Sequence, residues 1–372
     1  MASSSIESVP FMNIKAELAR IRPEIDAAIA RVLDNASFCL GPEVDSFEDK
    51  FAKALGVEHA IGVNSGTSAL HLAALALGLG PEDEVILPPF TFAATAWAVS
   101  YVGATPVFVD IEKHTFNIDP SLIEAKITSK TKAIVAVHLY GHVCNMDPIL
   151  EIAKKYNLRV IEDAAQAYGA TYYGRSVGSM GDIGTFSFYP AKNLGACGEG
   201  GMVTTNDPLL ARDIRLFRNH GSSERYLHEK IGYNYRMEGI QAAVLDVKLA
   251  YSSESRERRR VLARHYDDQL KGVPLKLPVE EAYAESVYHL YTLECEQRES
   301  LSSYLRDKGV GTAVHYPRPL HLQPCYSFLG YNSGDFPVSE SASKSCLSLP
   351  IYPELSDEQQ NYVIDAVKSY FD

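Results

Sequence analysis

From Ile21 to Gly169 the chain alternates helix-period segments with short, nearly continuous apolar runs, and that alternation restricts the fold more than any other feature. "IRPEIDAAIARVLDN" (21–35) places Ile25, Ala28, Ile29 and Val32 at helical spacing. "GPEVDSFEDKFAKALGV" (41–57) repeats the pattern with Val44, Phe47, Phe51 and Leu55 ahead of a glycine. "HAIGVNSGTSALHLAALALGLG" reads as a strand, a tight polar turn and a helix. "DEVILPP" is a compact apolar strand, "TFAATAWAVSYVG" a helix closing at Gly103, and "TPVFVDI" another strand. "TKAIVAVHLYG" and "NLRVIEDAAQAYG" are two further strand-like runs, each preceded by a helical pattern. Strands apolar on both faces have no side to give to water, so helices must cover them above and below. The expected class is α/β, with a mostly parallel mixed sheet covered by helices. Ligands in such sheets bind beyond the carboxyl ends of the strands, so the polar turns there are where chemistry is to be sought.

Past Gln241 the character changes. "GIQAAVLDVKLAYSSESRERRRVLARHYDDQLKG" reads as one or more long helices, and the alternating charges of Ser255–Arg260 suit a solvated face rather than a nucleic-acid site. "YHLYTLECE", a helix ending near Gly309 and "VGTAVHYP" then suggest a smaller α+β unit. The expected division is a large domain over 1–245 and a small C-terminal domain over 246–372.

Composition excludes several classes. The net charge of −12, from 35 basic and 47 acidic residues, argues against a nucleic-acid partner and against a polybasic membrane patch. The six cysteines (Cys39, Cys144, Cys197, Cys295, Cys325, Cys346) show no metal-ligand spacing, so no metal is expected and the thiols read as reduced. "MASSSIESVPF" lacks the basic and apolar regions of a signal peptide. "ALHLAALALGLG" is too short to span a bilayer and contains His71. The expected location is the cytoplasm.

Four polar clusters stand where an α/β sheet exposes them. In "NSGTSAL", Gly66 permits a close turn while Thr67 and Ser68 offer hydroxyls and N–H groups at a helix start, which suits a phosphate or simply caps the helix. In "VIEDAAQAYGA", Asp163 ends an apolar strand, where a carboxylate is costly without a cation or proton donor unless it is an N-cap. "TFSFYPAKNLGACGEGGMVTT" holds Ser187 and one lysine, Lys192, in a run otherwise almost free of charge. Such a lysine either snorkels to water or, in a dry pocket, loses its proton and attacks a carbonyl. "GYNYRMEGIQAA" brings Asn234 and Arg236 ahead of a helix, as a capping turn or a ligand loop. A phosphate cradle, a strand-end carboxylate and a lysine in a small-residue loop together match what pyridoxal 5′-phosphate requires.

With these clusters in this order, the sequence resembles the sugar aminotransferases of the DegT/DnrJ/EryC1/StrS family, within the fold-type I, aspartate aminotransferase-like group of pyridoxal-phosphate enzymes. The resemblance runs from "FMNIKAELARIRPEID" and "LGPEVDSFE" through "EDAAQAYGA" and "SFYPAKNLGACGEGG" to "HYPRPLHLQPCY" and "LSLPIYPELSDEQ". It implies that Lys192 is the Schiff-base lysine, that Asp163 partners the pyridine nitrogen and that Gln166 contacts the ring hydroxyl. Phe92 would stack on the ring. Gly66, Thr67, Ser68 and Ser187 would hold the phosphate, joined by Asn234 from a neighbouring subunit, which implies a homodimer with shared active sites.

The same resemblance implies a transaminase that takes an amino group from an amino acid, L-glutamate in the family, passes through pyridoxamine 5′-phosphate, and delivers it to a keto sugar linked to dTDP or UDP. Dehydratases of this fold replace the lysine with histidine, which Lys192 argues against. A non-catalytic regulator is the other alternative, though all the cofactor positions are kept. The run after Lys192 retains "NLGA", as in members that aminate carbon 3, but has Glu199 where aspartate is usual; a 3-amino product is expected, with carbon 4 as the alternative. His315, Tyr316 and His321 in "HYPRPLHLQ" are the candidate sugar contacts.

Overall fold

A computed structural model describes residues 6 and 8–372. Its centre is a seven-stranded sheet built from β1 (His59–Val63), β2 (Glu84–Leu87), β3 (Thr105–Phe108), β4 (Thr131–Val137) and β5 (Arg159–Asp163), with two further strands later in the chain. Between β5 and β8 (Ile183–Ser187), the short strands β6 (Thr171–Tyr172) and β7 (Arg175–Ser176) form a hairpin outside the main sheet. With β9 (Gly201–Thr205) the spatial order is β1-β9-β8-β5-β4-β2-β3. The run from β3 to β8 is parallel, and β9 alone runs against its neighbours β8 and β1. The mostly parallel mixed sheet expected from the apolar runs is therefore present.

Its strands divide their side chains between two cores, as a pleat of period two requires. Val85 and Leu87 of β2 and Ala133, Val135 and Val137 of β4 enter one core. Ile86, Ile134 and Ala136, between them, enter the core on the other face. The helices Pro42–Leu55, Gly66–Ala76, Ala93–Tyr101 and Met146–Tyr156 supply the cover. The first ends at Gly56, whose φ of 72° is the left-handed conformation that closes a helix without a Cβ clash. One connection departs from expectation. No helical layer forms before β4: the described residues between β3 and β4 contain only the 3₁₀ turns Pro120–Leu122 and Glu124–Lys126. Asp119 caps the first turn through Ser121 N–H, and Pro120 removes a backbone donor.

The arginine-rich segment is one unbroken helix, Gly239–Leu270, roughly 48 Å long at 1.5 Å per residue. Its first part packs Ala242 and Leu245 into a sheet core, while Leu262, Ala263, Tyr266 and Leu270 enter a third core. A boundary at 245/246 thus falls within a continuous helix. The third core is completed by the antiparallel pair Tyr291–Glu294 and Cys346–Leu349 and by the helices Arg298–Asp307 and Asp357–Phe371. Val9, from the N-terminal end, joins it by bridging to Val310. None of the six cysteines is in a disulfide, and Cys144, Cys295 and Cys346 are buried. No described helix is long and apolar enough to cross a membrane.

Candidate active site

A cavity of about 580 Å³ opens beyond the carboxyl ends of β1, β4, β5 and β8. The turn after β1 and the start of the next helix give it Ser65, Gly66 and Thr67, the end of β5 and its following turn give Asp163 and Gln166, and β8 with its following loop gives Ser187 and Lys192. Phe92 and Trp97 form part of its rim, and His289, His315 and Tyr316, from the C-terminal part of the chain, complete the lining.

The cradle is made by close packing at the start of the helix Gly66–Ala76. Ser65 caps that helix by accepting Ser68 N–H at 3.0 Å. Gly66 and Thr67 are its first two residues, whose N–H groups have no intrahelical acceptor and remain available to an anion. A Cβ on Gly66 would lie 2.6 Å from Ser187 Cβ, so glycine is what lets the helix start meet the end of β8.

Asp163 is buried at the end of β5. Its Oδ2 accepts from Thr95 Oγ1 at 2.8 Å and its Oδ1 from Ala165 N–H at 3.2 Å. Burial raises its pKa above the ordinary carboxyl value, against the opposing pull of the Thr95 bond, the Ala165 bond and the Lys192 charge. Across the same cavity, burial lowers the Lys192 pKa to about 8, and the charge of Asp163 acts in the opposite sense. The pair therefore has one group resisting ionisation and one giving up its proton more readily, as perturbed groups in catalytic clefts do.

The loop carrying Lys192 is pinned on several sides. Lys192 N–H donates to Tyr189 O and Ala196 N–H to Phe188 O, both at 2.8 Å. A Cβ at Gly195 would lie 2.4 Å from Pro190 O, which explains the small-residue run without any appeal to flexibility. From behind, the buried Lys248 of the long helix donates to Gly195 O at 2.8 Å while pairing with Glu17 at 2.9 Å. Beneath the cavity, His138 accepts Cys144 N–H at Nδ1, so its Nε2 carries the proton donated to Glu162 at 3.0 Å. Burial alone would raise the Glu162 carboxyl, but the His138 bond and the N–H groups of Gly181 and Gly178 hold it below its ordinary value.

Nine of the candidate residues meet in this one cavity: Gly66, Thr67, Phe92, Asp163, Gln166, Ser187, Lys192, His315 and Tyr316. Gln166 accepts Tyr140 N–H and donates to the Tyr316 hydroxyl at 3.1 Å, coupling the cofactor-type wall to the candidate sugar wall. Ser68 does not line it: its hydroxyl donates to Asn64 Oδ1 at 2.7 Å, and the neighbouring Ser65 lines the cavity instead. His321 is not brought to the cavity either, since it is buried against Phe336 and pairs with Glu340 at 3.1 Å. Asn234 is exposed outside this chain's own cavity, with its carbonyl accepting from Asn64. Sequence reasoning missed Thr95, His138, His289 and Lys248. Thr95 sits in a small-residue helix with no motif around it, and the other three gain meaning only from partners distant in the chain.

Fold and site together put a desolvated lysine, a buried carboxylate and a helix-start anion cradle into one cavity on a mostly parallel α/β sheet. The family model for the DegT/DnrJ/EryC1/StrS aminotransferase family matches residues 19–368, and the chain belongs to that family. It is 48% identical to the erythromycin biosynthesis sensory transduction protein EryC1 of Saccharopolyspora erythraea, over 97% of this chain and 99% of that one. It is 47% identical to the dTDP-3-amino-3,4,6-trideoxy-alpha-D-glucose transaminase of Streptomyces venezuelae, over 97% and 96% of the two chains. Among solved structures, S. venezuelae DesV in complex with a ketimine intermediate superposes with a TM-score of 0.97 at 46% identity, covering 99% of each chain.

Proposed function

We propose that this chain is a pyridoxal 5′-phosphate-dependent aminotransferase that moves an amino group from L-glutamate to a 3-keto hexose linked to dTDP or UDP, giving a 3-amino sugar. The observation that carries the reading is the juxtaposition of Lys192 and Asp163 in one cavity, next to the cradle of Gly66, Thr67 and Ser187. These residues fit the cofactor. Asp163, buried and already bonded by Thr95, would face the ring nitrogen, and the free N–H groups at the helix start would take the phosphate. Phe92 is 53% exposed at the rim, leaving a ring face for stacking. The names of several relatives place amination at carbon 3, in agreement with the "NLGA" run after Lys192.

When bound, the cofactor supplies an electron sink and a carrier for the amino group. Asp163 would keep a proton on the ring nitrogen, and the bonds from Thr95 and Ala165 hold its carboxylate in place for that role. Lys192 Nζ would take the proton from the donor's α-carbon and give it to the cofactor's C4′ carbon, and would make the reverse transfer when the keto sugar is aminated. Its lowered pKa makes the neutral amine accessible near neutral pH, as a general base requires. Gln166 and Tyr316, bonded to each other, fix the width of the sugar side. Asn234, exposed on its own chain, is assigned to the phosphate of a partner subunit in a homodimer. A regulator would have no need of a lysine desolvated against a carboxylate, although the EryC1 relative bears a regulatory name.

Adding L-glutamate to the protein reconstituted with pyridoxal 5′-phosphate tests this directly. The visible band should bleach, and adding nucleotide-linked 3-keto hexose should restore it. No bleaching with any amino acid tried would overturn the aminotransferase reading; restoration only by a 4-keto sugar would overturn the regiochemistry alone.

A further inference from the structure

Next to Lys192 in sequence stands Asn193, whose side chain is bonded by a residue from the far side of the cavity. His289 Nδ1 lies 2.8 Å from Asn193 Oδ1, a contact between residues 96 apart in the chain. Asn193 Nδ2 points to Val287 O at 3.5 Å, which leaves Oδ1 as the acceptor facing the ring. The proton of the imidazole is therefore on Nδ1, and Nε2 keeps its lone pair. His289 is 5% exposed and lines the cavity together with Lys192. Its own backbone is held in turn. The buried Arg259 of the long helix donates to the carbonyls of Tyr288 and His289 at 3.3 Å and to Ile351 O at 2.7 Å, and makes no ion pair among the described residues. A buried guanidinium devoted to three carbonyls is a costly arrangement that fixes this turn firmly.

We propose that His289 is a positioning residue for Lys192: its Nδ1–H holds Asn193, and through Asn193 the backbone that carries the lysine, so that the amine stays in the cavity opposite Asp163. The proposal rests on the aminotransferase reading above. It assigns the work to Nδ1, on the Asn193 side, and none to the lone pair at Nε2. Burial and the neighbouring charges of Lys192 and Arg259 keep the ring neutral, which preserves that division. Arg259 links the turn to the long helix, so the lysine loop is held both from the sheet side and from the third core.

Two amide substitutions separate the two nitrogens. His289→Asn places an N–H close to the position of Nδ1, whereas His289→Gln places its amide near Nε2; His289→Phe keeps the shape and removes both. The measurement is the rate at which apoprotein mixed with pyridoxal 5′-phosphate becomes fixed at Lys192 on borohydride quenching, read by peptide mass. Steady-state kcat and KM and the apoprotein melting temperature are followed in parallel. His289→Phe and His289→Gln should slow fixation about five- to tenfold, the size expected for one buried hydrogen bond. His289→Asn should recover most of the rate, with the losses in kcat rather than KM. Asn193→Ala should reproduce the defect, and in the His289→Phe background it should add nothing further. If His289→Phe does not fold, Asn193→Ala carries the test alone, and normal fixation there overturns the proposal. Rescue by glutamine rather than asparagine also overturns it, by moving the function to Nε2. Failure to fix wild-type Lys192 at all removes the aminotransferase reading and this inference with it, an outcome distinct from a wild type that reacts and variants that match it.

Discussion

The cavity has two unlike walls. The wall at the strand ends is assembled from short segments that carry their own geometry: a capped helix start, a strand-terminal carboxylate, and a lysine loop in which Gly195 abuts Pro190 O. The opposite wall has no such local logic. His289, His315 and Tyr316 are placed by contacts across the molecule, Tyr316 through Gln166, His315 through the Tyr140 hydroxyl on its carbonyl, and His289 through Asn193 and Arg259. Burial pushes His315 down to about 4, with the Lys192 charge adding to the effect, so this wall presents neutral imidazole to a ligand. Chemistry on one side and shape on the other is a division that allows substrate preference to change while the reacting groups stay fixed.

By this division, substitutions on the strand-end wall should abolish chemistry and those of Tyr316 on the opposite wall should mainly alter sugar binding, with His289 set apart because its bond to Asn193 acts on the lysine loop. Lys192→Ala should show the largest effect, a loss of roughly 10⁴-fold in kcat, since no other amine stands in the cavity to move the proton. Binding of pyridoxamine 5′-phosphate, followed by equilibrium dialysis, should persist because the cradle is separate. Asp163→Asn should follow, with kcat down about 10²–10³-fold, the scale for losing one electrostatic partner at the reacting centre. A near-normal rate there would reduce Asp163 to a cap for the following turn.

Mixing Lys192→Ala with Asn234→Ala chains tests whether the strand-end wall is completed by a second copy. After subunit exchange, about a quarter of wild-type activity should return, because half the dimers are mixed and each holds one intact site. No recovery in a verified mixed dimer would confine Asn234 to its own chain.

Tyr316→Phe should have the smallest effect. Losing its hydroxyl removes the bond from Gln166, worth about 1 kcal/mol, so KM for the sugar should rise by about fivefold with kcat little changed. An equal loss in kcat would blur the two walls. The pH profile adds a check on the first wall: fixation of Lys192 by borohydride should rise through pH 8 rather than near 10.5, because burial favours the neutral amine.

Much of this was legible before any coordinates. Apolar runs such as "TKAIVAV" leave no polar face, which is why a covered parallel sheet followed from the residues alone, and why Asp163 at the end of one such run stood out. The strands Ile183–Ser187 and Gly201–Thr205 are not evident in the residues, because each is short and they are joined by a long glycine-rich loop with no apolar period of its own. The helical pattern expected before Thr131 collapsed to two 3₁₀ turns around Pro120. Ser68 and His321 carry hydroxyl and imidazole groups suited to a site, yet Asn64 and Glu340 claim them.

Local pattern by itself pointed to a covered parallel sheet, a polar turn at a helix start, a strand-end carboxylate and a lone lysine in a small-residue loop, because strand period, helix start and desolvation are written within a few residues of one another. Only the tertiary structure decided which polar groups face the cavity and which are spent on neighbours. That choice depends on bonds such as His289 to Asn193 and Lys248 to Gly195, whose partners lie 96 and 53 residues apart. Nothing in the residues around either partner specifies the other, since a hydrogen bond at such separation exists only once the chain has folded.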